Sequence, residues 1–115
     1  KNEYSKSICT LLNAIAKYPF LIGGKNRFDS EVIKHTQGRI FCKGGAEGVL
    51  LFVDTSKNIG GVLKIEDGNE RALPSLAMKI FSKLKLLSGN EKLIQNWREE
   101  ESIKRTKHRR PDLLE

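Results

Sequence analysis

IFCKGGAEGVLLFVDTSKNIGGVLKIE, residues Ile40 to Glu66, decides the fold. Three short β-rich runs, Ile40 to Lys43, Val49 to Asp54 and Val62 to Glu66, are separated by glycine clusters and by the turn formers Thr55-Ser56-Lys57-Asn58. Connections this short favour an antiparallel meander. The middle run is apolar at every position from Val49 to Val53, the pattern of a strand covered on both faces. The third alternates, Leu63 and Ile65 against Lys64 and Glu66, and reads as half exposed.

Helices flank this region. Ile8, Leu11, Leu12 and Ile15 recur at helical spacing, so residues 5–17 read as an amphipathic helix that Tyr18-Pro19 ends. A short helix is expected over residues 29–36, with Phe28, Val32 and Ile33 inward, Asp29 or Ser30 as its cap and Gly38 closing it. Leu73, Leu76, Ala77, Ile80, Phe81, Leu84 and Leu87 form the longest stripe and predict a helix from about residue 71 to 87. Leu93, Ile94 and Trp97 suggest one more short helix or turn, and Glu101 to Arg105 reads as a polar edge strand. The expected class is α/β (α+β), an antiparallel sheet of three or more strands flanked by helices: residues 1–97 form the folded portion and 98–115 a charged tail or polar edge strand. Little in the chain can cover the second face of the central strand, which points to a missing segment or partner there.

At 115 residues, 38% hydrophobic and 30% charged, the chain has the composition of a single folded domain. No apolar run approaches the roughly 18 to 20 residues of a membrane-spanning helix, and no signal-peptide pattern opens the sequence. A cytoplasmic setting is the expectation. A start at Lys1, without methionine, reads as a piece of a longer protein. The formal charge of +7 invites a nucleic-acid partner, but Lys104, Arg105, Lys107, Arg109 and Arg110 lie among Glu99, Glu100, Glu101, Asp112 and Glu115, and no aromatic platform interleaves the lysines. On that ground a solvated surface is expected, with nucleic acid the less favoured partner.

Cys9 and Cys42 are far apart and have no histidines nearby, so neither a metal site nor a cofactor is expected from this chain; both thiols read as reduced and mostly buried. Ser82 and Lys85 have the serine-x-x-lysine spacing of acylating enzymes, but fall on the polar face of the long helix. His35 and His108 have no partner at a recognisable spacing. Lys43 is different, because it ends a strand and is followed at once by Gly44 and Gly45, where the missing side chains let another molecule approach the backbone. A hairpin-edge lysine kept in water fits the same residues. Glu47 stands within reach of Lys43, Arg27 or Arg39.

Tyr18-Pro19-Phe20-Leu21-Ile22-Gly23-Gly24, Arg27-Phe28-Asp29, Gly38-Arg39, Lys43 to Val49, and Gly61 to Ile65 with Asp67-Gly68 and Arg71-Ala72 resemble, in order, the C-terminal part of the bacterial asparaginase II family. The resemblance spans about residues 10–87 and is most specific from Lys43 to Gly48. It implies a partial serine-β-lactamase-like fold and hydrolysis of L-asparagine to L-aspartate and ammonia. It implies a catalytic role for Lys43 and substrate contacts at Gly44 and Gly45, and zinc in the complete enzyme of some members. The serine half that the family carries is absent, so this chain alone is expected to be inactive and to need a missing N-terminal half or separate subunit; a homo-oligomer stays open. The alternative from another class is a stand-alone basic domain for RNA or an acidic protein partner, which a steep salt dependence of RNA binding would favour.

Overall fold

The computed structural model describes residues 3–87, 104, 107–109 and 112. Helices α1 (Glu3–Lys17), α2 (Phe20–Gly23) and α3 (Phe28–His35) precede strands β1 (Ile40–Gly45), β2 (Val49–Asp54) and β3 (Ile59–Lys64). A 3-10 turn, Glu70–Ala72, leads into α4 (Leu73–Lys83). The strands form an antiparallel meander in the order β1-β2-β3, with Cys42 opposite Phe52 and Leu51 opposite Val62. This is the α+β architecture that the Ile40–Glu66 stretch predicts.

Side-chain alternation sends Ile40, Cys42, Leu50 and Phe52 to one face of the sheet, where Phe28 and Val32 of α3 and Leu73, Ala77, Met78 and Phe81 of α4 complete the core. Burial pushes the Cys42 thiol well above its ordinary range, aided by the Asp29 carboxylate and only opposed by Lys43, so it stays protonated. Cys9, expected to be buried, is exposed on α1. That helix buries Ile15, whereas Ile8 and Leu11 of its stripe face outward.

The central strand departs from expectation. Leu51 and Val53 lie on the far face with Val62, which is 62% exposed, and among the described residues that face is not closed over. The apolar run does not mean burial on both sides here, since register alone puts alternate residues on opposite faces. β3 begins at Ile59, before the expected Val62, and stops at Lys64. It starts early because Asp54 closes the turn tightly: its Oδ1 accepts from the Ser56 amide at 2.9 Å, the Ser56 hydroxyl at 2.8 Å and the Lys57 amide at 3.1 Å.

α4 ends at Lys83, short of Leu87, in a Schellman motif. Lys85 takes φ +55°, the Leu86 amide donates to the Phe81 carbonyl and the Lys85 amide to the Ser82 carbonyl. Leu86 and Phe81 are both buried at this end, which supplies the apolar contact such caps use. Ser82 and Lys85 are solvent-exposed, as their place off the apolar stripe implies. α3 ends in the same way, with Gln37 at φ +54° ahead of Gly38. Its start is not capped by Asp29 or Ser30: Arg27 occupies that position, without a side-chain cap. The expected element at Leu93, Ile94 and Trp97 lies outside the described residues. So does most of the expected strand Glu101 to Arg105, although Lys104 is helical. No described helix is long and apolar enough to cross a membrane.

Candidate functional site

Lys43 does not end the strand as expected: β1 runs on through Gly44 and Gly45, which pair with Leu50 and Val49, so Lys43 lies inside an edge strand of the sheet, beside α3. Its ammonium donates to the Gly44 carbonyl and lies 3.9 Å from Asp29 Oδ2. The lysine side chain is 47% exposed, the aspartate side chain 6%. Asp29 is therefore the fixed member of the pair. Its Oδ2 accepts from the Gly44 amide at 3.1 Å and its Oδ1 from the Ser30 amide at 2.9 Å, so one buried carboxylate clamps the strand edge to the helix.

The clamp needs Gly23. A Cβ at that position would stand 1.9 Å from Asp29 Oδ1, well inside contact distance. Gly23→Ala is expected to lower stability by about 1–3 kcal/mol, the range for forcing atoms into a packed site, and to release the Gly44 amide to exchange. Urea denaturation and amide hydrogen exchange check this; unchanged stability with Gly44 still protected would refute it.

Lys43, Gly44 and Gly45 line an open cleft of about 680 Å³ together with Asp29, Arg27, Glu70, Arg71 and Arg109. Phe28, Leu50, Leu73 and Pro74 supply its apolar wall. Four cations face two carboxylates across this space, and Asp29 is already occupied. Arg27 meets Glu70 at 3.7 Å with both side chains more than half exposed, 60% and 52%. Arg71 donates through Nε to Asn69 Oδ1 at 3.2 Å, which leaves the terminal nitrogens of its guanidinium outside that bond.

The sequence brings Lys43, Gly44 and Gly45 to one place, as their adjacency requires. It misses Asp29, read only as a helix cap, and Arg71, whose approach depends on the Asp67-to-Ala72 turn. Glu47 does not take the role suggested for it: Arg27 pairs with Glu70, Arg39 with Asp54 and Lys43 with Asp29. His35 pairs with Glu31 at 3.2 Å, one helical turn away. Among the described residues no group of His, Cys, Asp and Glu side chains is placed to hold a metal.

The model of the L-asparaginase II family matches residues 1–110. The chain belongs to that family. Its curated relatives carry a different name. A protein of Aster yellows witches'-broom phytoplasma, called tRNA (guanine-N(1)-)-methyltransferase, is 30% identical over 113 aligned residues, covering 83% of this chain and 47% of its own length. Proteins of the same name from Anoxybacillus flavithermus and Rickettsia typhi are 67% identical over 30 residues and 54% identical over 44. Those matches cover 26% and 38% of this chain, and 12% and 15% of the relatives. The chain thus spans less than half the length of these curated relatives.

These names correct the expectation of asparagine hydrolysis: the relatives that match here are called tRNA (guanine-N(1)-)-methyltransferase. The Lys43 ammonium is engaged by a carbonyl and a carboxylate.

Proposed function

We propose that this chain is an RNA-binding module that engages tRNA, as part of a tRNA-modifying protein. The observation that carries the reading is the relative named tRNA (guanine-N(1)-)-methyltransferase whose match extends over 83% of this chain. A net charge of +7 supports it, because a polyanion with one charge per phosphate gains affinity by releasing counterions to such a surface. The work would take place in the cytoplasm, with tRNA. Methyl transfer is left to a larger protein, of which this chain is less than half by length in its relatives. The serine-β-lactamase-like arrangement that the family resemblance implies then acts as a scaffold, with Asp29 and Lys43 fixing the sheet edge and Gly44 and Gly45 keeping the cleft beside it open.

Fluorescence anisotropy with bulk bacterial tRNA tests this. Affinity is expected to fall steeply between about 50 and 200 mM salt, with log K linear in log salt concentration. Binding that is absent at low salt, or flat against salt, would remove the RNA reading.

A further inference from the structure

We propose that the cleft between β1 and the 3-10 turn is where the RNA backbone binds, with Arg27 and Arg71 holding one phosphate group between them. The inference rests on the RNA reading above and names its site.

The charges in the cleft are not equivalent. Asp29 is buried and its two oxygens accept the Gly44 and Ser30 amides, so it is part of the framework rather than a free anion. Lys43 is tied to that framework through Asp29 and the Gly44 carbonyl. Arg27 and Arg71, ahead of the distant Arg109 in sequence, are the cations of the folded portion with capacity left. The Arg27–Glu70 contact is long and wet, and pairs of that kind are worth about 0–1 kcal/mol, which a backbone phosphate accepting several hydrogen bonds can displace. Arg71 has its Nε bonded to Asn69, which fixes the plane of the guanidinium and leaves its terminal fork to present to a ligand.

The position of Arg71 is built, not incidental. Asp67 accepts the Asn69 amide at 2.9 Å, and Asn69 in turn accepts the Arg71 amide at 3.0 Å. Two successive side-chain-to-backbone bonds thus set the turn that carries the arginine. The apolar wall of Phe28, Leu50, Leu73 and Pro74 displaces water from one side and strengthens the field of the cations across the opening. Gly44 and Gly45 add no side chain to obstruct a ribose-phosphate chain running past the sheet edge.

The test compares the full chain with Arg27→Ala/Arg71→Ala, using bulk tRNA over a salt series. Both arginines are exposed, so the double variant is expected to keep the parent circular dichroism spectrum and melting temperature. Its tRNA affinity should fall about tenfold or more and its salt slope should shrink by about 1, the loss of one neutralised phosphate. Lys79→Ala/Lys83→Ala, on α4 and away from the cleft, should stay close to the parent. Parent binding to tRNA with no change in the arginine variant would overturn the cleft assignment and leave the RNA reading standing. A parent chain that does not bind tRNA at all would overturn both. Capture of polyglutamate in place of tRNA, lost in the same variant, would give the cleft to an acidic protein and overturn the RNA proposal.

Discussion

Asp54→Ala should destabilise the domain by about 3–5 kcal/mol, the range for stripping one partner from a buried ion pair. Asp54 is fully buried at the end of β2, yet both of its carboxylate oxygens accept hydrogen bonds. One oxygen closes the β2–β3 turn through Ser56 and Lys57; the other receives the Arg39 guanidinium, which also reaches the Leu86 carbonyl beyond α4. A single carboxylate therefore ties a hairpin turn to the end of the long helix. Alanine would strand the Ser56 and Lys57 donors and leave a cation facing a cavity.

The same group makes a pH prediction. Burial alone would raise the Asp54 carboxyl, but the Ser56 hydroxyl, the Lys57 amide, the Arg39 guanidinium and the Ser56 amide outweigh it and hold the carboxyl below the usual aspartate value. A folded value below the unfolded one means that the stabilisation is fully present above the unfolded value and is lost as pH falls through the folded one. Urea midpoints measured from neutral pH down into that acid window should fall for the parent protein, while the Asp54→Ala protein starts lower and loses less. Equal acid losses in the two would show that Asp54 does not carry the effect.

Much of this architecture was legible in the sequence because it follows from periodicity. β-rich runs set off by glycine clusters and the Thr55-to-Asn58 turn formers place the strands, and Leu73, Ala77 and Phe81 on one stripe place α4 against them. What was not legible depends on contacts between distant residues. No local pattern distinguishes Asp29 as a clamp from Asp29 as a cap, since the difference lies in Gly44, fifteen positions away. Nor does an all-apolar run tell which face will be covered: Leu51 and Phe52 are neighbours of similar hydrophobicity, one exposed and one buried, and the positions of α3 and α4 separate them. The cleft belongs to the same class, because Arg27, Lys43 and Arg71 converge through three different elements.

Phe81→Ala is expected to cost about 3–5 kcal/mol, the range for removing a fully buried phenyl ring. The ring of Phe81 meets that of Phe52 edge-on, with centroids 5.0 Å apart and planes at 71°, a geometry worth about 0.5–1.5 kcal/mol beyond the area it buries. Phe52 has nowhere to follow it. On its other side a Cβ at Gly61 would lie 2.6 Å from the Phe52 ring, so β3 backbone already packs against that ring and Gly61 must lack a side chain for it to fit. Truncation at residue 81 thus opens a cavity that its neighbour cannot collapse to fill, and it also removes the apolar partner of Leu86 in the cap that ends α4. Phe81→Leu, which keeps most of the volume, should lose markedly less. Chemical denaturation monitored by circular dichroism decides it: a loss below about 1 kcal/mol for the alanine variant would mean that the site relaxes, and that the Gly61–Phe52–Phe81 stack is not what joins the helix to the sheet.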